Sequence, residues 1–480
     1  MFDFPEFKVF RTPLRSVIDI DVGESKEVKL CNSKIVKIKV LELEEIRDSF
    51  KSSIRKTKVK VNVNGYENWI MSGNYNLPKK IANVQIDCPI TKGYYDGAGK
   101  DVWALEKDLR LRLWPEDSPF IDPETFVYPV KQRWFASDTQ MSNEPVFVND
   151  GDLPCKDTTY YHAGLDIGGA DGLVDVYSSV DGIVLSARDE IIAGYERLPF
   201  VLPRYDCIII LDERGWGYRY SHFKVIEDTI KAGGTVKKGQ KLGILGKEGA
   251  SGGWAHTHFE IFSRQPSGKW GTEEGYCYLW QAYVREYDPP LIAVARPHHM
   301  ACVGKTVELD ATRSWCKDKE GFNCEWQLTD GSLSHGIQVK RTYEKAGVYS
   351  EILKITDKNG NIDYDFTVVH VFDKHKTHEM IPSIHAAYAP TFDIKPNDSV
   401  TFLVRTFRTT AGNEIWDFGD GSSPVTVKSD GNIEPHNPDG YARIVHRYKK
   451  PGHYVARVER IGHTGAKAMA HLQIRVGEYS

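Results

Sequence analysis

The run His256-Thr257-His258-Phe259-Glu260-Ile261 reads as a β-strand. Its histidines stand two apart, and in a strand residues i and i+2 point to the same side. His256 and His258 are therefore expected to share one face. Working outward, short apolar runs lie between dense glycines from about 126 to 288: Leu173 to Val184, Cys207 to Leu211, Gly217 to Ser221 and Lys241 to Leu245. Gly-Gly and Asp-Gly pairs punctuate them. This is the pattern of an antiparallel sheet with tight turns.

On the N-terminal side, Lys58 to Val63 alternates strictly, Asn64-Gly65 offers a two-residue turn, and Tyr66 to Met71 resumes the apolar run. That is a hairpin signature. Lys34 to Leu43 reads as another strand and Glu44 to Ile54 as a short helix. Residues 1–125 form an accessory β-rich domain in this reading, with no chemical motif of their own.

Beyond Pro289-Pro290 two segments, 289–376 and 377–480, share a plan. The first holds Cys324-Glu325-Trp326-Gln327-Leu328-Thr329-Asp330-Gly331, then Gly347-Val348-Tyr349. The second holds Ile415-Trp416-Asp417-Phe418-Gly419-Asp420-Gly421, then Pro451-Gly452-His453-Tyr454. In each, a Trp opens a strand, an Asp-Gly turn closes it, and a half-buried Trp fills a small sandwich core. Each segment reads as a module that folds without its neighbours. The linker between them carries His375 and His378, read as polar rather than metal-binding.

Composition sets the outer limits. The 480 residues exceed one ordinary domain, and 41% apolar content is enough to build cores. A net charge of -4 gives no pull towards nucleic acid. No run approaches the ~18 apolar residues of a membrane span. The first residues lack a leader's basic and apolar regions, which leaves a cytosolic protein or a mature secreted form. None of the eight cysteines forms a Cys-x-x-Cys pair. A disulfide among Cys302, Cys316 and Cys324 stands beside the alternative of buried thiols. Oligomeric state is not readable.

Four short elements carry chemistry: His162-Ala163-Gly164-Leu165-Asp166, Tyr220-Ser221-His222-Phe223, and the overlapping His256-Thr257-His258 and His258-Phe259-Glu260. A catalytic zinc takes three protein ligands and keeps a fourth position for water. His162, Asp166 and one histidine of the pair supply three, leaving the other histidine and His222 to work on substrate. His378-Glu379 lacks the second histidine of an HExxH helix, which removes that class of zinc peptidase.

Order and context resemble the lysostaphin-type zinc endopeptidases over residues 162 to 262. The matching runs are His162 to Ile167, Val176-Tyr177-Ser178 with Asp181-Gly182-Ile183-Val184, Gly217 to Phe223, Val236 to Gly243, and His256 to Ile261. The segment from 377 resembles a polycystic-kidney-disease (PKD) domain, and 289–376 is similar as a divergent copy. The resemblance implies a mainly β protein: an antiparallel-sheet peptidase domain at 126–288, the N-terminal β-rich domain, and two immunoglobulin-like sandwiches. It implies one Zn2+ per chain on His162, Asp166 and His258, with His256 and His222 catalytic. Glu260 reads either as a group behind a ligand or as a surface carboxylate. Ser251-Gly252-Gly253-Trp254-Ala255 replaces the family's Ser-Thr-Gly-Pro, which assigns Ser251 and Trp254 to the substrate groove. The segment 186–206 is long for a hairpin connection and reads as a groove wall, and Asp206-Cys207 stands for the usual Gly-Asn. The implied activity is peptide hydrolysis in peptidoglycan cross-links or stem peptides, in an extracellular, periplasmic or cell-surface setting. The alternatives are a protease for another protein polymer and a non-catalytic scaffold on the same fold.

Overall fold

The computed structural model describes residues 9–94, 101–139, 141–147, 159–318, 320–376 and 381–477. About 47% of the chain is strand and 4% helix, so the molecule is mainly β.

Two four-stranded sheets make the N-terminal part, and the hairpin Ile54–Val63 to Tyr66–Met71 stands as read. Glu44 to Ile54 is not a helix. The strand Ile35–Arg47 runs through Glu44 and pairs with Ile54–Val63. Across that ladder Lys58 meets Glu44 at 3.1 Å and Lys60 meets Glu42 at 3.0 Å. Opposite charges facing each other across two strands favour the ladder over helical spacing.

The middle of the chain forms an antiparallel sheet in the order Leu165–Gly168, His256–Arg264, Gly217–Ser221, Cys207–Leu211, Gly182–Ala187, Glu190–Ile191. Leu173 to Val184 is not one strand. Asp175–Tyr177 joins a separate three-stranded sheet, and the chain crosses to the main sheet at Gly182. The Ser178 hydroxyl bonds the Val180 carbonyl in between, a local bond that breaks the run. The helix Tyr276–Tyr287, which the sequence reading did not single out, packs Tyr276, Tyr278, Leu279, Ala282 and Tyr283 into the core.

The C-terminal segments are two sandwiches built on one plan. Trp326 and Trp416 are each 0% exposed. They are thus fully buried rather than half-buried, and each lies near the end of its strand, Phe322–Gln327 and Glu414–Asp417, rather than opening it. The repeat extends to small bonds. Ser332 and Ser422 each turn their amide to the aspartate two residues back, and Tyr349 and Tyr454 each donate to the lysine carbonyl four residues back.

The sandwiches are not independent of the rest. Gly347 and Val348 pair in parallel with Lys467 and Ala468, joining both into one nine-stranded sheet. One apolar cluster contains Tyr75 and Trp114, the central sheet, and Ala387, Leu403 and Tyr441 of the last segment. At the N-terminal side, Glu273 of the central sheet is held by Arg15 at 2.7 Å and Arg112 at 2.9 Å, all three buried. Phe50 stacks on Phe372 at 4.0 Å. The modules read from the sequence thus share packed surfaces: the second sandwich draws Val348, Val368 and Phe372 of the first into its core, while the first keeps a core of its own around Trp326.

The seven described cysteines are free, so no disulfide forms among Cys302, Cys316 and Cys324. The Cys302 thiol instead donates to the Ser49 carbonyl. Cys155 and His378 lie outside the described residues. Among those residues no helix is long and apolar enough to cross a membrane.

Candidate metal and catalytic site

Strand register brings the site together. Asp166 pairs directly with His258, Gly168 with His256, and Ser221 with His258. Directly opposed residues project from the same face, so the two distant motifs meet without any loop rearrangement. His162 enters from the segment before its strand, where its amide bonds the Glu144 carbonyl and the Gly164 amide bonds Asn143. Gly164 has φ +98°, and a Cβ there would lie 2.8 Å from the His258 ring, so only glycine allows this approach.

His162, Asp166 and His258 each offer one ligand atom, all within 4.8 Å of one another. The His162 Nε2 lies 3.3 Å from Asp166 and the His258 Nδ1 lies 2.9 Å from it. Among the described residues this is the one such group. Its electrostatics favour a cation at the centre. Burial opposes ionisation of Asp166, yet the surrounding histidines hold its carboxyl well below the ordinary range. Burial also opposes a charged His258, but Asp166 and Glu260 lift it to about 9. Both His258 nitrogens face carboxylates, since Nε2 lies 3.4 Å from Glu260. The proton on Nδ1 occupies the place a metal ion would take, and the other N–H remains directed at Glu260, an arrangement that orients a metal-ligating histidine. Two nitrogens and one carboxylate oxygen fit zinc.

Glu260 is no surface carboxylate. It is buried and takes hydrogen bonds from Arg219 at 2.9 Å and the Thr272 hydroxyl at 2.7 Å. Burial raises its pKa, but Arg219 and His258 outweigh that and keep it ionised.

The remaining two histidines lie side by side, His222 and His256, with ring centroids 4.6 Å apart. The Nδ1 of His256 is 3.0 Å from the Trp254 carbonyl, and that of His222 is 2.7 Å from the Glu248 carbonyl. A carbonyl only accepts, so both Nδ1 atoms carry hydrogen and both Nε2 atoms are bare in the neutral rings. Burial lowers His256 to about 3 and pushes His222 down as well. Both are neutral at pH 7, as a base must be before it accepts a proton.

Sequence reasoning passed over the group that holds His222. Asp206 accepts from the His222 amide at 3.1 Å, lies 3.3 Å from its Nδ1, and is itself gripped by Arg204. The only signal was Asp206-Cys207 standing for Gly-Asn. His222 has φ 73°, left-handed backbone that this anchoring sustains.

An open cleft of about 680 Å³ runs past these residues. Pro199, Phe200 and Leu202 of the long connection line it, together with Asp101, Val102 and Trp270, whose ring meets Phe200 at 4.9 Å. Ser251 lines the cleft, whereas Trp254 lines a neighbouring crevice together with Ser251 and His256. Trp254 stacks on Phe407 of the last sandwich at 4.0 Å and meets His385 edge-on. Around it the Gly253 carbonyl accepts from Arg405, the Gly252 carbonyl accepts from Asn432, and the Ala255 amide donates to Tyr441. The loop 251–255, next to His256, is thus clamped by the C-terminal sandwich.

Residues 160–269 match the family model of Peptidase family M23, and 287–371 and 386–474 each match a PKD domain model. Among solved structures, the chain is similar to Csd3 from Helicobacter pylori, at 12% identity over 55% of this chain and 81% of that one, TM-score 0.21. It is also similar to the fibronectin(III)-like modules of CbhA from Clostridium thermocellum, at 12% identity over 40% and 97%, TM-score 0.16. Dimeric latent PorU from Porphyromonas gingivalis matches at 12% identity over 62% and 32%, TM-score 0.18. At such scores no likeness of fold is drawn from these.

Proposed function

We propose that this chain, a peptidase with an M23 domain followed by two PKD domains, is a zinc-dependent endopeptidase that cleaves peptide bonds in the cross-links or stem peptides of peptidoglycan. The reading places it outside the cytoplasm, where that polymer lies. The observation that carries it is the pairing of a three-donor cluster with two neutral histidines in one cleft. Zinc on His162, Asp166 and His258 would supply Lewis acidity towards water and a peptide carbonyl. His256 takes the proton of the attacking water at its bare Nε2, its Nδ1–H held by Trp254. His222 lies beside it with Asp206 behind its Nδ1, so the water's proton, handed on from His256 to the bare Nε2 of His222, makes a cation that Asp206 stabilises. That cation donates to the oxygen on which negative charge develops.

The test combines metal analysis with release of soluble peptides from purified cell walls, on wild type and His256→Ala. Wild type is expected to hold about one zinc per chain and to release peptides. His256→Ala is expected to keep the zinc and lose roughly 100-fold or more in rate. Equal release by both, or a wild type that binds no zinc, refutes the reading.

A further inference from the structure

The site is bordered by a second cavity that the peptidase domain does not enclose alone. A crevice of about 210 Å³ starts at Asp166, Ser251 and His256, the same three residues that line the open cleft. Beyond them it is walled by both sandwiches. Met300, Val348 and Val368 come from the first, and Ile384 and Arg408 from the second. Its volume exceeds the ~150 Å³ that accommodates a benzene-sized ligand.

Two features indicate what it takes. Of the side chains the sandwiches contribute, Met300, Val348, Val368 and Ile384 are apolar, beside His298, His370, Ser383 and Arg408. Against this background, the His298 Nε2 and Asp138 Oδ1 atoms are buried without a hydrogen-bond partner among the described residues, and both residues line the crevice. Buried polar atoms are normally paired, and these two make His298 and Asp138 a polar part of the lining. An extended peptide advances ~3.3 Å per residue. A peptide whose reacting carbonyl lies at His256 would therefore bring a side chain one or two residues away into the crevice.

Resting on the peptidase reading above, we infer that this crevice is the substrate subsite on one side of the scissile bond. It accepts a medium-sized apolar side chain of the valine, leucine or methionine class, packed against Met300, Val348, Val368 and Ile384. The sandwiches would then select the substrate directly, as part of the catalytic unit.

The test uses the full zinc-loaded chain and a pool of blocked hexapeptides of randomised sequence, with products read by mass spectrometry. Wild type and the conservative Met300→Leu are expected to prefer an apolar residue within two positions of the cut. Met300→Glu, which puts a charge on the apolar wall, is expected to weaken that preference about tenfold or more. A preference that Met300→Glu leaves unchanged, or none for apolar residues in wild type, overturns the inference. A second readout needs neither turnover nor a stable Met300 variant. The pool, remade with a benzophenone side chain in place of the apolar residue, is photocrosslinked to zinc-loaded His256→Ala. Adducts on Met300 or Ile384 support the subsite; adducts confined to Phe200 and Trp270, or none, overturn it. Adducts at Met300 with no cleavage by wild type would uphold the crevice as a peptide site and refute the peptidase reading instead.

Discussion

Removing a single oxygen, in Tyr441→Phe, tests whether the last sandwich governs the site. The Tyr441 hydroxyl accepts from the Ala255 amide at 2.9 Å and lies 2.7 Å from the His385 Nδ1. All three residues are buried. Phenylalanine keeps the ring and its packing beneath Arg405 but leaves both polar groups without that partner. An orphaned buried donor or acceptor costs about 1–3 kcal/mol, so the pair is expected to cost about 2–6 kcal/mol of stability. The Ala255 peptide leads into His256, whose Nδ1–H is oriented by the Trp254 carbonyl. Loosening it should lower turnover about tenfold or more, because small misplacements of a catalytic group are costly. Zinc content should not change, since the loop 251–255 holds none of the three proposed ligands. Urea unfolding, metal analysis and hydrolysis of any peptide the wild type cleaves give the three readings. A stability within about 0.5 kcal/mol of wild type together with normal turnover would refute the coupling.

Three further outcomes are expected. Asp166→Ala, which removes the carboxylate central to the cluster, should strip the zinc; stoichiometric metal in that variant would refute the ligand set. Ending the chain at Asp288 should abolish hydrolysis of even a short peptide, because it deletes Phe407, Arg405 and Tyr441 from the loop and opens the shared core; a soluble truncated chain with full turnover would restore the picture of separate modules. Acid should destabilise the C-terminal pair. His385 and His471 are lowered to about 3 by burial, so the folded state binds fewer protons than the unfolded one. The stability they contribute is present above about pH 6.5 and is lost as pH falls towards 3, at roughly 1.4 kcal/mol per unit for each. Urea midpoints at pH 7 and pH 5 should differ accordingly, and His471→Gln should flatten the slope.

Much of the site was legible because two of its three proposed ligands, Asp166 and His258, lie on regular strands. The spacing in His256-Thr257-His258 puts both rings on one face, and register then decides that Asp166 faces His258. What was hidden involved long-range partners. Nothing local in Trp254 says that it stacks on Phe407, more than a hundred residues away. Asp206 was noted only as a departure, since its role depends on His222 adopting a left-handed backbone. Glu260 could not be placed inside or outside until Arg219 and Thr272 were seen to close over it. The helix read into Glu44 to Ile54 failed for a related reason: Glu42 and Glu44, two apart as on one face of a strand, pair with Lys60 and Lys58 of the next strand.

The clamp on the loop 251–255 also has a meaning in time. The Ala255 amide is bonded by a residue 186 positions later in the chain. At the usual 5–20 residues per second of synthesis, Tyr441 is made roughly 10 to 40 s after Ala255. Throughout that interval the nascent chain holds every proposed ligand and both histidines, but not the Tyr441, Arg405 and Phe407 contacts that clamp the loop 251–255 beside His256. Maturation of the catalytic centre thus waits for the C-terminus, and a chain released early would be a poor hydrolase inside the cell that makes it.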